Sequence, residues 1–289
     1  MCQQLSFHPR AVLWCALWLI ASSIPAFAAP QRIVSTAPSF TETLFAIGAG
    51  DRIVGVSTYC HFPAAVDALP RIGSYLQPNI EAIARLRPDL VLVHSDLPAA
   101  IAQLNGLGIK TLALRNTSLE DTMQSIRSIG EATGLAKAGV ALEQSIRAKL
   151  SAIEKRSAGK PARTLMFVVG RTPARLDGMI AVGRGSYLNE LIRIAGGRNV
   201  LFDSPVTYPK ISLEAVLRLA PDVIVDMGDM AATTGVTETH RQSVVNLWAT
   251  QPSVKAVASN KVFAVAADIF VVPGPRVVEA AEAFAAMLK

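Results

Sequence analysis

The sequence is poor in the residues that most often carry covalent or metal chemistry. It has 3 Cys and 4 His among 289 residues. Cys2 and Cys15 fall within residues 1–28, so the rest of the chain holds only Cys60 and cannot close an internal disulfide. His61, His94 and His240 form no HxH, HxxH or HExxH spacing, which argues against a dedicated zinc site. Cys60 and His61 are adjacent, and neighbouring side chains rarely face each other as nucleophile and base do. The glycines complete neither GxGxxG nor GxxxxGK[ST], so no phosphate cradle is indicated. Gly183–Ser186 reads instead as a turn that starts a helix, and Gly48–Gly50 as one that stops a helix. Charge is also sparse, at 17% of residues with a net value of +6, and it forms no long run of one sign. A nucleic-acid footprint is therefore not expected. What remains is 51% hydrophobic with 19 Gly and 17 Pro, a composition that folds around a core.

Residues 1–28 carry Arg10 as their only formal side-chain charge, then an apolar run over 11–20, then Pro25 and Ala26-Phe27-Ala28. A basic start, a short apolar run and an A-x-A site define a cleaved export signal. A spanning helix would need about 20 apolar residues, and this run breaks at Ser22, Ser23 and Pro25. Cys15 follows Trp14, a bulky residue where a lipoprotein signal wants a small one.

Beyond residue 28, apolar strand-like runs (32–35, 53–57, 90–94, 111–114, 164–169, 223–226, 262–265) alternate with helical patterns (40–47, 80–86, 188–195, 213–219). That alternation predicts an α/β fold with mainly parallel sheets. The stretch 118–156 has no Pro and reads as a helix near 119–133 followed by a long one. Gly130, Gly134 and Gly139 would punctuate it. We expect a signal at 1–28, an N-terminal lobe at 29–136, a rigid linking helix at 137–158 and a C-terminal lobe at 159–289.

An internal repeat supports two similar lobes. NIEAIARLRPDLVLVHSD (79–96) aligns with SLEAVLRLAPDVIVDMGD (212–229), with 7 of 18 positions identical at a constant offset of 133. Each copy reads as a capped helix, a Pro-Asp turn and a buried strand. The same offset pairs Tyr75 with Tyr208 and Glu81 with Glu214. In open α/β sheets a ligand lies beyond the C-terminal strand ends. Tyr75 and Tyr208 would line that crevice and grip a flat, partly apolar guest. Glu81 and Glu214 favour their helix dipoles, and they also form two acidic knobs spaced for a symmetric basic partner. His94 ends a strand at the crevice edge. Asp268 follows another strand, as a turn former or as a polar group projecting into the gap.

The motifs RIVSTAPSFTETLFAIGAGDRIVGVSTYCHFP, LPRIGSYLQPNIEAIARLRPDLVLVHSD, GSYLNELIRIAGGRNVLFDSPVTYPKISLEAVLRLAPDVIV and VVPGPRVVEAAEAF run through nearly the whole chain. In them the sequence resembles the substrate-binding proteins of ABC importers in the iron-siderophore, haem and cobalamin group, most of all the cobalamin-binding branch. The resemblance implies a helical-backbone periplasmic binding protein fold with limited hinge closure, and no catalysis. It implies a corrinoid or other metal chelate as cargo, no cofactor or metal site of its own, and an inner-membrane permease with its ATPase as partners of a monomer. Position matching puts Tyr59, Tyr75 and His94 on the first wall, with Tyr208 and Asp268 on the second. It makes Glu81 and Glu214 the acids that meet permease arginines. The branch carries tryptophans where this chain has Tyr75, Tyr208 and His94, and a basic cleft residue where it has Val272. Haem and ferric siderophores therefore stay open as cargo, with Arg171, Arg175 and Arg184 as candidate anion contacts. An exported α/β enzyme using the same crevice is the remaining alternative.

Overall fold

The computed structural model describes residues 29–228 and 237–289. The segment read as an export signal, and Asp229 of the repeat, lie outside the described residues. The first sheet contains β1 (Ile33–Ser35), β2 (Ile53–Val56), β3 (Leu90–His94) and β4 (Thr111–Leu114). Its order is β2-β1-β3-β4, and every pairing is parallel. Its helices are α1 (Pro38–Ala46), α2 (Ile80–Arg85), α3 (Pro98–Gly106) and α4 (Leu119–Ala132). Strand β3 is a run of buried aliphatics ending in a half-buried His94, as a strand covered on both faces requires.

Helix α5 (Ala136–Ser157) leads to the second sheet. That sheet holds β5 (Thr164–Gly170), β6 (Met179–Ala181), β7 (Arg198–Asn199), β8 (Lys210–Ile211), β9 (Val223–Asp226) and β10 (Val262–Ala264). The order is β10-β9-β5-β6-β8, with β7 on β5. Strands β10, β9, β5 and β7 run parallel, but the β5–β6 and β6–β8 pairings are antiparallel. The second sheet is thus mixed where the first is not. Helices α6 (Tyr187–Ile194), α7 (Leu213–Leu219), α8 (Glu238–Ala249), α9 (Lys255–Ala258) and α10 (Val277–Met287) complete it.

The repeat is structural as well as sequential. The Asn79 side chain accepts a hydrogen bond from Ala82 N at the start of α2, and Ser212 accepts one from Ala215 N at the start of α7. Arg87 and Ala220 both leave their helices in the left-handed region, with φ of +46° and +45°. Each precedes the Pro-Asp pair. The Asp89 carboxylate accepts from Gln31 N and Arg32 N at 2.8 and 2.9 Å, entering β1. Asp222 accepts from Thr164 N at 2.7 Å, entering β5.

Helix α5 has 22 residues, about 33 Å at roughly 1.5 Å per residue. It packs on α4, α6 and α10. Arg147 binds Glu120 and Glu143 at 2.7 Å on the α4 side. Towards its other end, Glu154 meets Arg193 of α6 and Arg156 meets Glu282 of α10, both at 2.6 Å. Met123 and Ile126 of α4 and Ile146, Leu150 and Ile153 of α5 are buried in one cluster with Phe167 and Phe284. The linking helix therefore shares the core of the second lobe. The glycine reading needs correction. Gly134, at φ +74°, does make the α4–α5 turn. Gly130 and Gly139 do not punctuate; they lie inside the two helices where the backbones touch, and a Cβ on Gly130 would lie 3.0 Å from Gly139 Cα.

Candidate functional site

Three contacts tie the two lobes together. Tyr187 N donates to Thr117 O at 3.0 Å. Leu119 N donates to Glu190 at 2.8 Å. Arg276, just before α10, donates twice to Glu42 of α1, through Nε at 3.0 Å and through a second nitrogen. Glu42 is almost fully buried. Breaking a pair that leaves such a carboxylate uncompensated costs about 3–5 kcal/mol.

On the first wall, the loop after β2 carries Tyr59, His61 and Phe62. It is anchored from behind. Arg71 donates to Cys60 O at 2.7 Å and Ser57 O at 3.2 Å. The Cys60 thiol is buried against Thr41 at 3.2 Å and Ser57 at 3.4 Å. Burial pushes that thiol above its ordinary value, against those hydroxyls. This cysteine secures a loop and is not poised as a nucleophile. Tyr59 and Tyr75 meet edge to face with centroids 5.8 Å apart. They are 51% and 40% exposed, too open for rings whose role is core packing.

His94 is set deeper. Its Nε2 lies 2.5 Å from Asn116 Oδ1, while the Asn116 amide donates to Ser39 at 2.9 Å. That network ties the ring, through Asn116, to the start of α1. Nδ1 lies 3.5 Å from Asp96, and the ring stacks on Phe40. The Asn116 contact and the stacking on Phe40 fix the His94 ring in the wall.

On the second wall, Tyr208 follows a loop pressed onto the turn before α6. Gly183 N donates to Thr207 O at 2.8 Å, and a Cβ on Gly183 would collide with the Val206 carbonyl. That turn starts α6, as the sequence suggested, with Ser186 accepting from Leu188 N. Ser186 Oγ also lies 3.2 Å from the Tyr208 hydroxyl. The Tyr208 ring is 44% exposed, while burial of its hydroxyl end raises its pKa. Tyr75 adds to that rise.

Asp268 opens a short 3-10 turn (Asp268–Phe270). Its Oδ2 is 3.9 Å from Arg276, and the guanidinium lies over the Phe62 ring at 4.2 Å. Burial raises Asp268 above its ordinary value, opposed by Arg276 and His61. Burial likewise raises Glu42, against Arg276. The sequence reading marked neither Glu42 nor Arg276. The available signal was a lone arginine within the apolar stretch VVPGPRVV. Where a cleft base appeared lost at Val272, that valine is buried, and Arg276 follows it at the start of α10. Of the anion candidates, Arg171 is buried on Asp226 at 2.9 Å and Arg175 pairs with Asp177. Arg184 alone of the three stands exposed without an ion pair among the described residues.

Glu81 and Glu214 lie apart from the gap, each exposed in the first turn of its helix. The Ser212 hydroxyl holds Glu214 below its ordinary pKa. No described helix is long and apolar enough to cross a membrane.

Comparison with known proteins agrees with this architecture. A vitamin B12-binding protein of Vibrio cholerae is 28% identical over 274 residues, 94% of this chain and 92% of that one. The ABC transporter substrate-binding lipoprotein YvrC of Bacillus subtilis is 31% identical over 264 residues, 89% and 79% of the two chains. The crystal structure of the Vibrio cholerae periplasmic vitamin B12 binding protein BtuF matches with a TM-score of 0.75 over 90% of this chain and 97% of that one, at 28% identity. The periplasmic heme-binding protein RhuT of Roseiflexus matches at 0.74 over 90% and 99%, at 25% identity. The model of the periplasmic binding protein family matches residues 33–269, and the chain belongs to that family.

Proposed function

We propose that this protein is the solute-binding component of an ABC importer and that it captures cobalamin or a related corrinoid between its lobes. Three exposed phenol rings carry this reading, Tyr59 and Tyr75 edge to face on the first lobe and Tyr208 held at Ser186 on the second, and in it all three face one guest. Each ring can cover on the order of 100 Å² of a flat guest, worth about 2–3 kcal/mol before ordering costs. Nearly full-length similarity to a vitamin B12-binding protein supports the same cargo. The ligand leaves unchanged in this reading, and the buried Cys60 and the Asn116-bound His94 have structural roles. In this reading residues 1–28 direct export to the periplasm and are cleaved. Residues 29–136 and 159–289 form the lobes, and 137–158 the strut. His94 and Asp268 complete the two walls, and Glu81 and Glu214 dock a monomer on the permease.

A second reading is haem or ferric-siderophore capture. Phenols stand at Tyr75 and Tyr208 where the cobalamin-binding branch has indoles, and phenol oxygen is a ligand type for haem iron. Arg184 is free for an anion on the same side as Tyr208. Titration with cobalamin, cobinamide, haemin and a ferric siderophore, read by calorimetry and visible spectra, separates the two. The expected result is corrinoid binding with Kd below about 10 μM, roughly −7 kcal/mol. Absence of both corrinoids from the bound set overturns the proposal.

A further inference from the structure

The clamp leaves a charged cluster at its edge without a role. Arg276 commits Nε and a second nitrogen to Glu42, and Phe62 covers the guanidinium face. The pair is held in place, because Glu42 is nearly inaccessible and Gly274 packs the segment onto Ser39. The guanidinium of this cluster is therefore already neutralised. Asp268 is different. Its side chain is 14% exposed, the 3.9 Å separation from Arg276 exceeds hydrogen-bond reach, and no described residue donates to its carboxylate. A partly desolvated carboxylate seeks a donor. His61 is the other titratable group acting on it.

We infer that Glu42 disarms Arg276 and leaves Asp268 as an acceptor that selects ligands bearing amide N–H groups over ligands bearing carboxylates. This rests on the corrinoid reading. A corrin ring fringed with amides can donate to Asp268. The same ring fringed with carboxylates brings like charge to a water-poor gap, where repulsion is least screened. A guanidinium free to bind two carboxylate oxygens would reverse that preference.

The test compares two corrinoids with one ring system, dicyanocobinamide (amides) and dicyanocobyrinic acid (carboxylates), by calorimetry at pH 7 on the purified chain. Cobinamide should bind at least about tenfold tighter. Asp268→Asn, a change at a partly solvated side chain, should shrink that ratio severalfold, mainly by improving the acid. Glu42→Gln should improve the acid further by releasing Arg276. Should that buried change fail to fold, the Asp268 variant decides alone. Equal affinities in the unaltered protein, or a ratio unmoved by Asp268→Asn, overturns the charge filter and leaves the corrinoid reading standing. If neither corrinoid binds and haemin does, both fall together.

Discussion

Asp89 and Asp222 hold the same place in the two lobes. Each follows a proline, closes a left-handed turn and ties the end of a helix to the start of the central strand. Their surroundings differ. Asp222 also takes the Thr164 hydroxyl at 2.8 Å and the Lys255 ammonium at 2.7 Å. Asp89 has only the two backbone N–H groups among the described residues. Burial works against Asp222, yet Lys255 and Thr164 outweigh it and hold the carboxyl at about 2. The same motif thus builds the same bend with unequal strength. The tyrosines differ between the lobes in the same way, with Tyr59 and Tyr75 edge to face on the first and Tyr208 held at Ser186 on the second.

The equivalence of the two lobes is most severely tested on the outer surface. Glu81→Lys with Glu214→Lys should abolish import while corrinoid affinity stays within about twofold, since neither residue faces the gap. Normal uptake by that protein removes the docking role, and unequal effects of the single changes would show that the permease reads the lobes differently. Next in size is the interlobe pair. Arg276→Ala strips a buried carboxylate of its partner and should cost about 3–5 kcal/mol in denaturant melts. Replacing both partners by apolar residues should cost less than the single change. An unaltered melt for Arg276→Ala would mean the lobes are not held there.

Tyr75→Ala with Tyr208→Ala should weaken corrinoid binding by about 3 kcal/mol, some 100-fold, with little change in melting because both rings are exposed. A loss confined to one of the two positions would make the clamp one-sided. The smallest effect concerns the paired aspartates. Asp222 sits at about 2 against an ordinary 3.8, so its ionised form stabilises the fold. That contribution, about 2 kcal/mol, is complete above pH ~4 and disappears as pH falls towards ~2. Asp222→Asn should lose it at neutral pH and flatten the acid limb of the melting profile. At neutral pH Asp89→Asn, which loses only two backbone N–H partners, should cost less than Asp222→Asn, and equal costs would erase the distinction.

Much of the frame was legible because it rests on local rules. Buried strands read as aliphatic runs, Asn79 and Ser212 as caps, and the helix through α5 as a stretch without proline. The repeat gave two lobes because offset identity survives any fold. The antiparallel strands β6 and β8 gave no such signal, being three and two residues long. The site was half legible. Tyr75 and Tyr208 emerged from the repeat, and the resemblance added Tyr59, His94 and Asp268. The pairing of Glu42 with Arg276, 234 residues apart, could not emerge even though the lone Arg276 stands out in its apolar stretch, since only tertiary packing brings the two together. Cys60 also misleads as text, because a thiol beside a histidine suggests chemistry until its burial is known.

The claim beneath all of this is that two braced walls present their tyrosines to one flat guest. A crystal structure of the protein with bound cobinamide tests it most directly. The expected result is a corrin plane between Tyr75 and Tyr208, with the Glu42–Arg276 pair intact. A corrin bound outside that gap, or lobes swung apart with the pair broken, would contradict it.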